Sequence, residues 1–427
     1  MSDDVAIVGG GMVGASLAVA LAPLGLKIVL IEAVAYDSAS QPSFDERTTA
    51  LSNASRRILE TLGVWRDVQS AATPIRKIHV SDRGRFGFAR IDAAEQGLEA
   101  MGYVVPNRAL GAALWSRIQE NRSIRVHCPA QVSNVAAGAD SVQLQVAGTL
   151  PGGAAACAEV AGAGAVDGAA GAAIDARLIV AADGVQSAVR AAFGVGAQSR
   201  DYEQTAVITT VLPQRFHDHV AYERFTDSGP LALLPLEGGR CALVLTLDRA
   251  AAEAAMSWSD VEFLGELQRR FGFRLGRFLK VGRRSQYPLS LTRALRTSAQ
   301  RCAIVGNAAQ ALHPVAGMGF NLGLRDVASL AEIIADHRHE PQFDAGAAGL
   351  LAEYDAWRAA DRRGVIAFTD GLVRLFASPL RTARGLRNAG LLAFDLLPPA
   401  KAALSLLSTG ARPGARVPKL ARGVALR

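Results

Sequence analysis

The sequence predicts an α/β fold: a doubly wound dinucleotide-binding domain with an inserted, mainly antiparallel β-sheet substrate domain and a helical C-terminal segment. Three observations predict it. The chain opens with a strand, a glycine-rich turn and a helix. Strand-like alternation of apolar and polar residues fills most of 203–292, with one helix expected at about Ser259–Phe271. A second glycine-rich turn, followed by a helix with an apolar face, occupies 306–336.

Length and composition restrict the number of domains and the class of protein. With 427 residues, of which 50% are hydrophobic and 20% charged, the chain is long enough for two or three folding units. The four cysteines show neither C-x-x-C pairs nor metal-ligand spacing, which predicts no disulfide framework and no metal site. The first apolar run belongs to the opening strand and helix, so we expect no signal peptide and a cytoplasmic protein.

The N-terminal segment predicts a βαβ unit. Val5–Val8 is a short apolar strand, and Lys27–Ile31 is a second strand that is followed by Glu32. The G-x-G-x-x-G spacing between them is formed by Gly9, Gly11 and Gly14. Such glycines permit a tight turn and a close approach to a pyrophosphate, and the acidic residue accepts hydrogen bonds from a ribose. The unit predicts dinucleotide binding, with FAD and NAD equally open; an ordinary glycine-rich turn is the alternative.

Between residues 44 and 146 the pattern predicts further helices and strands. Helices are expected at about Asn53–Leu62 and Ala109–Gln119, and residues 76–104 predict strands joined by turns. Further strands are expected at Ile124–Cys128, Gln131–Val135 and Val142–Val146. Arg47 precedes the first helix and is long enough to reach a phosphate or a ring edge, although a surface position is the usual place for an arginine.

The stretch Pro151–Ala176 is of low complexity, because 18 of its 26 residues are Gly or Ala. It predicts a flexible insertion between two strands, without a catalytic role. A buried strand, Leu178–Ala182, follows and leads into Asp183-Gly184. An Asp-Gly pair after an apolar strand is a common turn, so it indicates a site only beside other motifs.

The segment Gly306–Asp326 is the most informative stretch. A strand at Ala303–Val305 precedes it, and a helix over about 320–336 completes it. Gly317 and Gly319 let the backbone approach a flat ligand, because no Cβ stands in the way. The N-terminus of the helix would direct N–H groups and the positive end of its dipole at that ligand. This arrangement suits a ring system that becomes an anion.

The C-terminal tail concentrates the positive charge. The chain has a net charge of +7, and from Arg381 onward nine Lys/Arg oppose one acid, Asp395. The tail also contains the apolar stretch AGLLAFDLLPPAKAALSLL. Basic residues beside an amphipathic segment favour contact with a membrane surface or a protein partner. A C-terminal helix packed on its own domain is an equal alternative. No aromatic platform or nucleic-acid motif accompanies the charge, so we expect no nucleic-acid binding.

Together these motifs resemble a known family. The glycine spacing at 9–14, the Asp-Gly pair at 183–184 and the segment 306–321 are similar to those of the single-component FAD-dependent aromatic hydroxylases, such as para-hydroxybenzoate hydroxylase. Within that family the chain resembles the ubiquinone-biosynthesis branch, the 2-octaprenyl-6-methoxyphenol hydroxylases. The residues that carry this closer likeness are Asp45-Glu46-Arg47, Ala308–Asp326 and Ala393–Ala400. The resemblance covers the chain apart from the Gly/Ala insertion and the final residues.

The resemblance implies a role for each matching residue. The FAD pyrophosphate would be contacted by Gly9, Gly11 and Gly14, and the adenosine ribose by Glu32. The flavin phosphates and the ribityl chain would lie near Arg47, Asn107 and Asn307, with Arg108 as a weaker candidate. FAD and the nicotinamide cofactor would share Asp183, with Gly184. The isoalloxazine ring would be lined by Pro314, Gly317, Met318, Gly319, Phe320 and Asn321. The candidate catalytic residues are His313, Pro314 and Met318.

Two positions depart from the family pattern. Asn307 stands where most of the superfamily has Asp, but an amide can still hydrogen-bond a ribityl hydroxyl. Met318 stands where the branch usually has Gln, so a polar side chain beside the flavin is lost. We expect FAD binding to persist and substrate choice or peroxide handling to change. For His313, a structural role in fixing the loop is as well supported as a catalytic one.

The reaction implied by the resemblance is aromatic-ring monooxygenation. NAD(P)H would reduce FAD, O2 would react with the reduced flavin, and the resulting C4a-hydroperoxide would transfer OH to a polyprenylated phenol of ubiquinone biosynthesis. No second dinucleotide fingerprint occurs, so NAD(P)H would bind transiently. Because such a substrate is lipophilic, we expect the protein to act peripherally on the inner membrane or within a ubiquinone-biosynthesis protein assembly. Two alternatives stay open: an FAD-binding accessory subunit of that assembly, and a same-fold flavoprotein with a different aromatic or prenyl substrate.

The expected domain boundaries follow from these assignments. The FAD-binding domain is discontinuous and comprises 1–72, 101–195 and 291–340. The substrate domain comprises 73–100 and 196–290, and the C-terminal helical segment with its basic tail comprises 341–427.

Overall fold

The structure, a computed structural model, describes residues 2–36, 38, 47–148, 172–377, 390, 395, 397 and 416–426. Three features singled out by the sequence lie wholly or largely outside the described residues. They are the Asp45-Glu46 pair, the Gly/Ala insertion up to residue 171, and the apolar tail with its Ala393–Ala400 motif.

The helices and strands expected from the sequence are present, with ends shifted by a few residues. The strands are β1 (Asp3–Val8), β2 (Ile28–Ile31), β3 (Thr48–Ser52), β4 (Thr73–Ile75), β5 (Lys77–Asp82), β6 (Phe88–Asp92), β7 (Gly102–Pro106), β8 (Ile124–His127), β9 (Ala130–Ala137), β10 (Val142–Gly148), β11 (Ala172–Ala181), β12 (Ala197–Pro213), β13 (Val220–Thr226), β14 (Gly229–Pro235), β15 (Cys241–Asp248), β16 (Phe278–Val281), β17 (Ser285–Ala294), β18 (Ser298–Ala299), β19 (Cys302–Ile304) and β20 (Gln310–Ala311). The α-helices are α1 (Met12–Leu21), α2 (Asn53–Thr61), α3 (Trp65–Val68), α4 (Asn107–Gln119), α5 (Ala188–Ala192), α6 (Arg249–Ser257), α7 (Asp260–Phe271), α8 (Met318–His337) and α9 (Ala348–Ala377).

An eight-stranded sheet carries the N-terminal βαβ unit. Its order is β18-β19-β11-β1-β2-β8, and β10 and β9 pair antiparallel beyond β11. β1 runs parallel to both β11 and β2. Its side chains alternate: Val5 and Ile7 join a core with α1, α4 and α8, whereas Ala6 and Val8 face a second core with β10. Burial on both faces explains why these strands are nearly continuous apolar runs.

The predicted Gly/Ala insertion is too long at its C-terminal end. Residues Ala172–Ala176 belong to β11 and pair with β10, in the register Ala172 opposite Val146 and Ala176 opposite Val142. The sequence pattern does not predict this part of the strand, because alanine has a low preference for β-strands.

A nine-stranded sheet forms the second layer. Its order is β20-β17-β12-β15-β14-β13-β5-β6, with β16 beside β12. Its pairs are antiparallel except that β13 runs parallel to β5. α6 and α7 cover one face, where Leu231, Leu243 and Phe263 are almost fully buried. The predicted α/β class with an antiparallel second sheet is confirmed.

The prediction of one helix in this region is wrong, because the structure has two. Asp248 caps α6 by accepting the Ala251 N–H at 2.8 Å. Ser259 and Glu262 form a capping box that opens α7. These two caps mark the starts of two separate helices, which the apolar pattern alone does not distinguish.

A three-stranded sheet, β3-β7-β4, contacts β14 of the nine-stranded sheet through β4 and contacts α4 through β7. Ile75 and Val104 pack with Ala221 on the face of the nine-stranded sheet that α6 and α7 leave uncovered. β3 also contacts α8. The division into an FAD-binding domain, a substrate domain and a C-terminal segment at the expected boundaries remains our proposal. Among the described helices, none combines the length and apolar character needed to cross a bilayer.

Candidate active site

Three parallel strands of the eight-stranded sheet end at one edge and open a cleft there. β1, β11 and β19 are each followed by one of the motif turns. The cleft has a volume of about 610 Å3. The motif residues that line it are Gly9, Gly11, Glu32, Asp183, Gly184, Asn307 and Phe320. Ligands of open α/β sheets bind in this position, outside the carboxyl ends of the strands.

The first glycine turn forms a cradle that side chains would fill. Gly9 has a φ of +103°, and a Cβ at this position would overlap the Ala182 carbonyl oxygen. A Cβ on Gly14 would overlap the Gly9 carbonyl oxygen. Gly11 caps α1, whose first residues also line the cleft, so the N–H groups of this helix end face the ligand space. The cradle suits an anionic pyrophosphate.

Glu32 lies at the end of β2 on one side of the cradle. Its carboxylate accepts the Gly10 N–H at 2.5 Å and the Val34 N–H at 2.9 Å. The residue is only 8% exposed. These bonds fix the carboxylate at the cleft, in the position where the acidic partner of a G-x-G-x-x-G motif meets a ribose.

Asp183 provides an unsatisfied acceptor in the same cleft. Its Oδ2 accepts the Val189 N–H at 3.1 Å, whereas Oδ1 is buried and has no hydrogen-bond partner among the described residues. Such an oxygen is unfavourable unless a ligand donates to it. The next residue, Gly184, has a φ of +89°, and Asn307 lies exposed at the cleft. A ligand with hydroxyl donors and a pyrophosphate fits this set, and FAD is such a ligand.

The segment His313–Asn321, called the His-Pro loop below, leads into α8. Gly317 caps α8 with a φ of +59°. The Asn321 side chain is 3% exposed, and its Oδ1 accepts the Ser52 N–H at 2.8 Å. Its Nδ2 donates to the carbonyls of Ala50 at 2.8 Å and Gly317 at 2.7 Å. Asn321 therefore clamps β3 to the N-terminus of α8, a role that the sequence did not indicate.

His313 is neutral at pH 7. It is 1% exposed, and burial lowers its pKa to about 4. Nδ1 accepts the Val315 N–H at 3.1 Å, which leaves the proton of the neutral ring on Nε2. Nε2 has no hydrogen-bond partner among the described residues, and the ring meets Tyr202 edge-on with centroids 5.4 Å apart. The bond to Val315 supports a structural role in the loop, and a catalytic role stays a prediction.

Met318 is the first residue of α8 and points into the helix packing. It is 4% exposed and lies in a cluster with Leu322 and with Val365 of α9. An apolar side chain is what this position needs, which gives a packing reason for the departure from Gln. Direct contact between Met318 and the flavin ring stays a prediction.

The remaining predicted residues of the His-Pro loop are less tightly packed than His313 and Met318. Pro314 is exposed, and a Cβ on Gly319 would meet nothing within 4 Å. Phe320 is partly buried and lines the cleft, as Asn307 does. The structure thus brings Phe320, rather than all the loop residues, to the main cleft.

Three predicted residues lie around β3 and the start of α4. The Arg47 guanidinium stacks over the Tyr287 ring at 4.6 Å, and the Arg47 carbonyl accepts the Asn107 N–H at 2.8 Å. The Asn107 Oδ1 accepts the Thr49 hydroxyl at 2.6 Å, and the residue is 4% exposed. Arg108 is exposed. Arg47 therefore reaches the uncovered face of the nine-stranded sheet, and its contact with a phosphate stays a prediction.

A buried charge network supports the turn after β19, and sequence reasoning missed it. The Asp326 carboxylate, 0% exposed, accepts the Arg358 Nε–H at 2.8 Å with one oxygen. Its other oxygen accepts the Gly306 N–H at 3.1 Å and the Gln310 amide at 2.7 Å. From α9, Arg362 donates to Gln310 at 2.6 Å. A charged residue within the apolar run of α8 was the available signal, but its partner lies 32 positions away.

The comparisons with known proteins agree with this geometry. The family model for the FAD binding domain matches residues 2–369. The ubiquinone hydroxylase UbiL of Rhodospirillum rubrum is 37% identical over 430 residues, covering 99% of this chain and 93% of the relative. The 3-demethoxyubiquinol 3-hydroxylase of Escherichia coli is 30% identical over 396 residues, covering 92% and 94%. The crystal structure of p-nitrophenol 4-monooxygenase PnpA from Pseudomonas putida matches with a TM-score of 0.74 at 20% identity, covering 96% of this chain and 99% of that one, and shows the shared fold.

The fold and the cleft define an FAD-dependent aromatic monooxygenase. With the family match over 2–369 and relatives of this identity, the chain belongs to the FAD-dependent aromatic hydroxylase family, in the branch of the ubiquinone-biosynthesis hydroxylases. The expected family and cofactor, FAD, are confirmed.

Proposed function

We propose that this protein hydroxylates the aromatic ring of a polyprenylated phenol in ubiquinone biosynthesis, using O2 and NAD(P)H, which binds transiently. The observation that carries the proposal is the cleft at the carboxyl edge of β1, β11 and β19. The uncovered face of the nine-stranded sheet meets the adjacent His-Pro loop, where Phe225 packs with Val315. FAD, when bound, provides the electron transfer and oxygen activation that side chains cannot.

The residues of the cleft would hold the cofactor by its polar parts. Gly9, Gly11 and the first turn of α1 would face the pyrophosphate, where backbone N–H groups favour negative charge. Glu32 would accept hydrogen bonds from the adenosine ribose. The free Oδ1 of Asp183 would accept one from a ribityl hydroxyl, and Asn307 would donate or accept another.

The N-terminus of α8 would favour the reduced, anionic state of the ring. The helix is twenty residues long, and its first N–H groups follow Gly317 directly. The Asn321 bonds to Ala50 and Ser52 hold this helix end against β3. A loop held in this way would keep the ring in one position when FAD is bound, as electrostatic stabilisation requires.

The proposal extends to a membrane surface or a ubiquinone-biosynthesis assembly as the place of action, since a polyprenylated phenol partitions into lipid. Asp395 of the tail accepts the Arg90 N–H of β6 at 2.7 Å. At the nearby β5–β6 turn, Phe86 is 71% exposed and follows the exposed Arg83 and Arg85 in the chain. A variant that ends near Pro379 should lose sedimentation with anionic vesicles; equal sedimentation of the two forms would reject this part.

The reaction itself is tested on the FAD-loaded full chain. NAD(P)H oxidation and O2 uptake are measured with and without a short-chain 2-prenyl-6-methoxyphenol. The proposal expects substrate-stimulated oxidation and a product heavier by one oxygen. FAD that NAD(P)H does not reduce would favour the accessory-subunit alternative. Reduction that responds only to other phenols or prenyl compounds would favour a same-fold flavoprotein with a different substrate.

A further inference from the structure

Glu223 of β13 lies on the face of the nine-stranded sheet that α6 and α7 leave uncovered. Side chains alternate along β13, so Ala221, Glu223 and Phe225 share this face. Tyr222 points the other way and packs edge-on against Phe271 of α7.

Two hydrophobic clusters flank Glu223 and show which elements pack against this face of the sheet. Ala221 packs with Val104 of the three-stranded sheet. Phe225 lies in a cluster with Val315 of the His-Pro loop and Val373 of α9. Glu223 therefore stands between these clusters and faces the region of the His-Pro loop.

The strand neighbours of Glu223 on this face are apolar and only partly buried. In register across the sheet, the row is formed by Val80, Glu223, Ala232, Val244 and Ile208. All five are partly exposed, whereas Leu231, Leu243 and Leu245 on the opposite face are at most 1% exposed. The row thus lines accessible space, as an apolar wall with a single polar side chain.

Nothing in the described part of the chain satisfies the Glu223 carboxyl, since no hydrogen bond or ion pair joins it to another residue there. The protein atoms packed around the carboxyl desolvate it and raise its pKa to about 7, while part of the residue stays open to the space beside the sheet. A poorly solvated acid without a partner is unfavourable for the fold, and such groups concentrate where a ligand supplies the missing contact.

We propose that Glu223 binds the phenolic hydroxyl of the substrate by accepting its hydrogen bond, with the ring and prenyl chain against the apolar row. The inference rests on the proposed function and adds a substrate-contacting residue to it. One polar group in an apolar wall is the usual means by which a site selects a hydroxylated ligand over the analogue that lacks the hydroxyl.

Other groups near this face do not obscure the test. The charged or titratable residues that the structure places on or beside this face are Arg47, Asp82, Arg200, Tyr202, Tyr287, His313, Asp370 and Arg374. Burial lowers the pKa of His313 to about 4 and raises that of Tyr202, so neither changes charge between about pH 6 and about pH 8.5.

The test compares two ligands that differ only in the hydroxyl: a short-chain 2-prenyl-6-methoxyphenol and its methyl ether. Their Kd values for the oxidised, FAD-loaded protein are measured from the change in flavin absorbance. At about pH 8.5 the wild type should bind the phenol at least about tenfold more tightly than the ether. Glu223→Leu should bring that ratio to about one, Glu223→Gln should retain part of it through the amide oxygen, and the control Glu237→Leu, at an exposed position, should leave it unchanged.

The pH dependence gives a second readout, should Glu223→Leu fail to retain FAD. The wild-type ratio should fall between about pH 8.5 and about pH 6 as the carboxylate gains a proton, and Glu223→Gln should show no such fall. A wild-type ratio in Glu223→Leu, or the same pH dependence in Glu223→Gln, would overturn the inference. Product formation assayed in parallel separates the two claims: selective binding without hydroxylation rejects the proposed function alone, and hydroxylation with an unaltered ratio in the variants rejects the role of Glu223 alone.

Discussion

Asn321 and Ser52 lie 269 positions apart in the chain, yet the Asn321 Oδ1 accepts the Ser52 N–H at 2.8 Å. The same side chain donates to the Ala50 and Gly317 carbonyls. One buried amide thus joins a strand of the small sheet to the helix end that we expect to face the flavin. The loop geometry depends on a contact between distant parts of the chain, which leads to the first prediction.

Replacing Asn321 with Leu should lower the free energy of unfolding by about 2–5 kcal/mol, because Ser52 and the two carbonyls would lose buried partners. Urea denaturation of the FAD-free and FAD-loaded forms measures the effect, and FAD affinity should fall with it. Asn53→Leu is the matched control, because Asn53 donates one partly buried hydrogen bond to the Ala100 carbonyl. This replacement should lower the free energy of unfolding by only about 1 kcal/mol. Equal urea midpoints for Asn321→Leu and the wild type would contradict the clamp.

Gly14→Ala should abolish FAD binding at micromolar cofactor. The added Cβ would overlap the Gly9 carbonyl oxygen, so the cradle would have to open. The FAD content of the purified protein, from its absorbance spectrum, measures the loss. Gly265→Ala is the control: this exposed glycine lies inside α7 with nothing within 4 Å of an added Cβ, and its replacement should leave FAD content unchanged and add about 0.5–1 kcal/mol of stability. Full FAD content in Gly14→Ala would show that the turn is not the pyrophosphate site.

Asp326→Asn should destabilise the fold by about 2–4 kcal/mol, because it removes the fully buried one of the two carboxylates that pair with Arg358 and leaves Asp361 as its remaining partner. The amide of Asn keeps only one acceptor oxygen, so either Arg358 or the turn at Gly306 loses its acceptor, and FAD affinity should fall as the turn shifts. Chemical denaturation measures the first effect and FAD titration the second. Glu60→Gln removes an exposed pair with Arg56 and should change stability by less than about 1 kcal/mol. Similar losses in the two variants would mean that the Asp326 pair behaves as a surface pair.

Glu223 should make the protein less stable as the pH rises. Its pKa is raised to about 7 in the folded state from 4.5, so the folded protein binds more protons than the unfolded chain between those values. The free energy of unfolding therefore falls as the pH rises from about 4.5 to about 7, by roughly 1–3 kcal/mol. Glu223→Gln should remove this component. Urea denaturation at several pH values across that range measures how the free energy of unfolding depends on pH. The same pH dependence in the variant and the wild type would place Glu223 in a solvated environment.

The parts of the fold that local signals specify were predictable from the sequence. Glycine spacing, apolar strands and the helix after Gly319 depend on neighbouring residues, and the structure places the resulting turns at one cleft. The helix α6 was missed, because it is a short segment of nine residues whose apolar positions are mostly alanines, and its start depends on the Asp248 cap.

The remaining site features depend on contacts between distant residues. Asp326 meets Arg358 only because α9 packs on α8, and Asn321 meets Ser52 only because β3 returns to that helix. Glu223 faces the His-Pro loop because β13 pairs with β5, which puts Val80 beside it. Strand pairing over such separations has no local signature, and a register shift of one residue would have turned Glu223 to the opposite face.

The central claim is that this flavoprotein transfers one oxygen atom from O2 to a polyprenylated phenol. The most direct measurement is a reaction of the FAD-loaded full chain with a short-chain 2-prenyl-6-methoxyphenol and NAD(P)H under 18O2, with the product analysed by mass spectrometry. The account predicts a hydroxylated phenol that contains one 18O atom and forms in step with NAD(P)H oxidation. NAD(P)H oxidation that yields only hydrogen peroxide and unchanged phenol, or a product oxygen that comes from water, would contradict it.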